Sequence, residues 1–222
     1  MSNPNQVPSR AQLGKYSVNR PGWEAVRQSL YDFQAYAAAG QALLTFFSQP
    51  KGGAAARTPS DTNMTLAGQI PANQEFLVQS IEVPFFPTVP AVAAANPSAF
   101  GAQAVAAQLN DAYLVGRTGN LVLTIGSKPY LEEAPVGRFP AKTGFEISAA
   151  LADVTTAGAS LQSRIGFGRW CGRPYLLSPA DLLLTANQNF SVTLNWPEGV
   201  QAITNPGRIG VILDGIMYRR SQ

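Results

Sequence analysis

Histidine does not occur in the 222-residue chain, and cysteine occurs once, at Cys171. The first absence removes the commonest general base and the commonest zinc ligand together, and with them Ser–His and Cys–His catalytic pairs. The second rules out an intrachain disulfide, so stability has to come from packing. A lone thiol with no imidazole beside it reads as a small buried hydrophobe rather than a nucleophile. Charge is also scarce: 13% of residues are charged and 45% are hydrophobic, against about 25% charged in an average soluble domain. A surface so weakly charged implies that something covers it. Lipid is one candidate, but a spanning helix needs an apolar run of about 18 residues or more. The best stretch, Phe33 to Phe47, is interrupted by Gln34 and Gln41. The polar opening Met1 to Pro8 has no apolar block of the secretory kind, so export by the standard route is not expected. The remaining candidate is other protein.

Motifs for small-molecule chemistry are missing as well. No Gly-rich phosphate loop ending in Lys-Ser/Thr is present, and Gly166-Phe167-Gly168 lacks the helix-opening context of a dinucleotide fingerprint. The 13 acids are spread too thinly for a calcium loop. Glu132-Glu133 is an adjacent acid pair, but it lies between Pro129 and Pro135, where a solvated loop is expected rather than a catalytic dyad. The reading is therefore of a protein that is not an enzyme and uses no cofactor and no metal.

What charge there is sits unevenly. Residues 1–60 hold six basic residues (Arg10, Lys15, Arg20, Arg27, Lys51, Arg57) against Glu24 and Asp32, and the remainder is close to balance, ten against eleven. A basic N-terminal segment suggests contact with a polyanion, nucleic acid or an anionic lipid surface, through Arg10, Lys15, Arg20 and Arg27; a solvated leader is the plainer alternative. Residues 1–22, with three prolines, two glycines and no periodicity, read as an extended arm.

From Trp23 the apolar residues Trp23, Val26, Leu30, Phe33, Ala37, Gly40, Leu44 and Phe47 recur at steps of three and four, which predicts one long helix over residues 22–47, opened by Pro21 and stopped by Pro50 and Gly52-Gly53. Tyr31, Tyr36, Leu43 and Phe46 make its other side apolar too, so the helix must be buried on several sides. A subunit interface through Trp23, Leu30, Phe33, Leu44 and Phe47 would bury it; so would the core of its own domain.

Beyond a turn-rich passage over residues 48–73, β-formers take over. Strands are expected at 76–86, 121–125, 145–149, 161–167, 182–185, 190–196 and 207–219, with a short helix over 101–114. Phe190, Val192, Leu194 and Trp196 alternate with polar residues, so one face of that strand is core. Dense Gly, Pro and Asn punctuation between short strands predicts an antiparallel sandwich or barrel. Trp170, Tyr175 and Trp196 are aromatic candidates for stacking on sugars or bases, with core or interface anchoring as the plainer role. Twelve Arg against four Lys, including Arg169, Arg173, Arg208, Arg219 and Arg220, suits interface hydrogen bonding.

The order of parts resembles the jelly-roll capsid proteins of tailless icosahedral viruses, bacteriophages in particular. It runs from a polar basic arm and a helix through the turn-rich Asp61-Thr62-Asn63-Met64 to a first strand introduced by Ile70-Pro71-Ala72-Asn73-Gln74-Glu75. A last strand, Gly207 to Arg220, closes it. The resemblance implies a mainly-β fold of eight strands in two facing sheets, with residues 1–73 as arm, helix and connection and 74–222 as the jelly roll. It implies assembly with copies of itself and other virion proteins in rings or trimers, residence in the virion after assembly in the host cytoplasm, and an arm directed at a neighbour, the genome or an internal membrane. A carbohydrate-binding or adhesive sandwich is the alternative from another class.

Overall fold

The computed structural model describes residues 22–53, 56–88, 102–142, 144–151, 161–168, 174–177, 181–198 and 202–220. The expected arm, apart from Gly22, lies outside them. Five strands come first: Trp23–Arg27 (β1), Leu30–Tyr36 (β2), Leu43–Phe46 (β3), Gln74–Glu82 (β4) and Phe85–Pro87 (β5). A 16-residue helix, Ala102–Arg117 (α1), separates them from Asn120–Ile125 (β6), Lys128–Glu133 (β7), Gly144–Leu151 (β8) and Leu161–Gly168 (β9). Tyr175–Leu176 (β10), Leu182–Leu184 (β11), Phe190–Asn195 (β12) and Gly207–Arg220 (β13) follow.

The long helix expected over residues 22–47 is replaced by β1, β2 and β3. Its two apolar sides are the two faces of strands. Tyr31 and Phe33 point one way from β2 and Leu30 and Tyr36 the other, a pattern that short windows do not separate from a helix buried all round. Pairing decides the matter: β1 and β2 run antiparallel along β13 in a single register, Trp23 opposite Arg220 through Tyr36 opposite Gly207, interrupted only at Gln28-Ser29. The alanines that favoured a helix, Ala37 to Ala39, form a turn closed by Gly40, whose N–H donates to Ala37 O at 2.9 Å and whose φ of 81° suits glycine. The strands before residue 73 are thus part of the sheets and not a separate leader.

β13 is the spine of the larger sheet. Its other edge carries β4 and β5, and β4 in turn carries β10 and β11. Collinear strands share a position, so the order across this sheet is β1/β2, β13, β4/β5, β10/β11. The smaller sheet has the order β3, β12, β6, β7. Successive strand positions switch sheets, except for the β6–β7 hairpin. Every named pair is antiparallel, and the two sheets share one apolar core, an arrangement compatible with a β-sandwich. Ile209, Val211 and Leu213 of β13 with Phe76, Val78 and Ile81 of β4 pack into the same cluster as Leu121, Leu123, Val192 and Leu194. Each such side chain contributes about 1.5–3 kcal/mol by leaving water.

The connections gather at two ends. At one, Ile203 N donates to Ala38 O at 2.8 Å and Trp196 N to Ala42 O at 2.9 Å. Trp196 Nε1 reaches Val115 O of α1 at 3.3 Å. Buried Asp111 of α1 accepts from Thr204 N at 2.7 Å and Asn205 N at 3.0 Å. The β8–β9 hairpin lies against α1 here. At the opposite end Gly126 N donates to Asn189 O at 2.7 Å and Phe190 N to Gly68 O at 2.8 Å.

Candidate functional site

The five residues expected at an interface are divided by strand alternation. Leu30, Leu44 and Phe47 are buried in the chain's own core. Trp23 and Phe33 face outward from the larger sheet: the Arg220 guanidinium lies 5.7 Å from the Trp23 ring centroid, and Arg208 lies 4.7 Å from that of Phe33, which also stacks on Phe86 at 6.0 Å. Arg27 is exposed on β1 and pairs with Asp214 at 2.7 Å. Arg10, Lys15 and Arg20 lie outside the described residues, as do Arg169, Trp170, Cys171 and Arg173.

Of the aromatic candidates, Trp196 is 1% exposed, edge-on to Tyr36 at 5.6 Å, and its rings cannot stack on a ligand from solvent. Tyr175 packs on Phe139 at 4.8 Å and donates to Glu133 at 3.1 Å. Burial, then the Glu133 carboxylate, raises its pKa above the ordinary tyrosine value. The Glu132-Glu133 pair, expected in a loop, lies on β7, with Glu133 also bound to Arg138 at 2.5 Å. Pro129 marks β7 as an edge strand, where a missing N–H is tolerated.

Two charge clusters went unnoticed in the sequence because their members are far apart along the chain. Asp32, 1% exposed, points into the gap between the edge strands β2 and β3. It accepts from Phe47 N at 2.6 Å and pairs with Arg57, which also donates to Phe33 O at 2.6 Å. The bond holds Phe47 at a φ of 65°, a conformation that side chains larger than glycine's seldom adopt. Burial raises the Asp32 pKa, against the opposing pull of the Phe47 N–H and Arg57. On the outer face of the larger sheet, Glu82 accepts from Lys142 N at 2.8 Å, and Lys142 Nζ pairs with both Asp214 and Glu82. Arg57 balances Asp32, and Lys142 together with Arg27 balances Glu82 and Asp214. Among the described residues no group of three or more His, Cys, Asp or Glu could hold a metal ion, and no helix is long and apolar enough to cross a membrane.

Recesses open at both ends. One, of about 230 Å³, lies between α1, β5 and the 136–141 segment and is lined mainly by apolar side chains such as Phe85, Val115 and Phe139. Another, of about 220 Å³, has a floor of Leu30, Met64 and Met217 under a rim that includes Lys51, Gln69 and Arg219. Neither brings together groups suited to acid–base or nucleophilic work.

The sheet faces differ more. The larger sheet carries a small apolar cluster on its outside, beside the charged groups just described: Leu77, Leu183 and Tyr218 are buried there, with Trp23, Ala25 and Ile216 packed around them. The outside of the smaller sheet is mostly polar and, apart from Glu132 at its margin, uncharged. Its rows, read across the strands, are Leu43, Asn195 and Asn120; Thr45, Thr193 and Val122, with Glu132 at the β7 edge; and Ser191 beside Thr124. No basic residue stands in these rows. In comparisons with known proteins, no family model, no curated protein and no solved structure matches the chain.

Proposed function

We propose that the chain is a shell-forming structural subunit, the capsid protein of a tailless icosahedral virus, folded as a jelly roll. The strand order carries the reading. Two sheets of four positions, with the chain switching sheets at each step but one, match the eight-stranded double Greek key used by viral shells, lectins and cupins. Fold analogy alone does not choose among these three. Residues narrow it: a cupin-type metal site has no histidine to use, and the described aromatic candidates, Tyr175 and Trp196, are spent on packing within the chain. Scarce charge and a basic complement of twelve Arg against four Lys favour a chain that is covered by its neighbours.

In this reading the partners are copies of the chain and other virion proteins, the location is the particle, and Arg10, Lys15 and Arg20 supply contact with genome or lipid. Weak contacts repeated around a closed symmetry build the shell. Sedimentation of the whole chain beside one lacking residues 1–22 tests it. The whole chain is expected as large, uniform assemblies; the shortened chain keeps its circular dichroism, since β1 starts at Trp23, and remains small. A shortened chain that assembles as well as the whole one would remove the role given to the arm.

A further inference from the structure

We propose that the outer face of the β3–β12–β6–β7 sheet is a contact surface for the same face of a second copy of this chain; the proposal rests on the assembly reading above and names one of its contacts. Exposed sheet faces ordinarily carry alternating Lys, Glu and Arg, which keep monomers apart. Here the two inner strands, β12 and β6, present Asn195, Thr193, Ser191, Asn120, Val122 and Thr124, all uncharged. Thr45 and Leu43 continue the rows onto β3, and Leu43 is 59% exposed.

Three features point to a copy of the chain rather than to another occupant. A two-fold contact sets a surface against itself, so any net charge on it meets like charge; a neutral face alone escapes this. Hydroxyls and amides both donate and accept, so the same groups serve both sides of such a contact. These groups are also unspent: none of the five polar side chains among them bonds to another described residue. Anionic or cationic partners have nothing here to pair with except Glu132 at the margin. Four strands spaced about 4.8 Å apart, three of them some 20 Å long and β3 about 13 Å, make a platform of roughly 300–400 Å². That is about half of what one partner gives to a stable standard interface, which suits a contact that holds only when repeated around a particle.

Thr193 lies mid-strand on β12, flanked by β3 and β6, so charge placed there falls within the face and not at its margin. Thr193→Lys and Thr193→Glu, each made in the whole chain, are expected to keep the wild-type circular dichroism and to lower the yield of assembled material about tenfold or more. An equimolar mixture of the two is expected to recover assembly, because opposite charges then meet. Thr45→Lys on the edge strand β3 provides the same test at an exposed position where folding is not at stake. Wild type that assembles alongside Thr193→Lys and Thr45→Lys variants that assemble equally well would overturn this proposal and leave the assembly reading in place. Wild type that stays monomeric would overturn both. Saturable binding of wild type to a glycan array, lost in the Lys variants, would give the face to a carbohydrate instead.

Discussion

Gly215 is the position where one added methyl group should do most damage. It sits in β13 where the register with β4 shifts, so that Gln79 is the extra residue and Gly215 pairs with Val78. A Cβ there would stand 1.9 Å from Leu77 O and 2.9 Å from Leu77 C, with the Phe76 ring at 3.3 Å. Contact distance is about 3.5 Å, so β4 and β13 must part by roughly 1.5 Å, and the obstacle is backbone that cannot swing aside. Overpacking in a well-filled core costs about 1–3 kcal/mol, and each ladder hydrogen bond lost adds about 1 kcal/mol. Gly215→Ala is therefore expected to lose about 3–4 kcal/mol of a total near 5–15 kcal/mol. Urea unfolding followed by circular dichroism measures it as a lowered midpoint. Gly53→Ala, whose Cβ would make only ordinary contact at 3.4 Å with Pro50 O, is the control and should stay within about 0.5 kcal/mol. A Gly215→Ala variant as stable as that control would refute the β4–β13 register on which the strand order rests.

Asp111→Ala should release the 202–206 segment from α1, since two backbone N–H groups lose their acceptor; the expected cost is about 2–3 kcal/mol, with faster amide exchange at Thr204 and Asn205. Asp32 and Asp61 should respond to acid in opposite directions. The Asp32 pKa is raised in the fold, chiefly by burial, so the folded protein holds that proton more tightly. Its contribution to stability grows as pH falls through the raised folded value toward about 4, the unfolded carboxylate range. Asp32→Asn lacks that gain, so wild type minus variant stability should rise across this window when melting is followed against pH. The Thr58 N–H and hydroxyl lower the Asp61 pKa, so its contribution is complete above about pH 4 and disappears as pH falls through the lowered folded value. An Asp61→Asn variant should accordingly lose less stability than wild type at the acid end.

Alternation made β12 and β13 legible in the sequence. Phe190, Val192 and Leu194 do face the core, and Ile209, Val211, Leu213 and Met217 do the same along the last strand. The helix at 102–117 was legible in type, though three residues longer than expected at its C-terminal end. The N-terminal segment was misread because its apolar residues serve both faces of β1 and β2, and a strand apolar on two sides shares its spacing with a buried helix. What separates them is the partner, β13, nearly two hundred residues away in the chain. β7 was obscured by Pro129 and two glutamates, residues that mark an edge strand but also a loop. The neutral outer face is written in Thr45, Val122 and Thr193, but it becomes a surface only once β3, β12 and β6 are aligned.

Electron microscopy of the purified 222-residue chain under native conditions tests the shell reading most directly. Closed particles of one size, in which averaged subunits show two stacked four-strand layers, are the expected result. A compact monomer at high protein concentration, with no closed particle in any field, would contradict it.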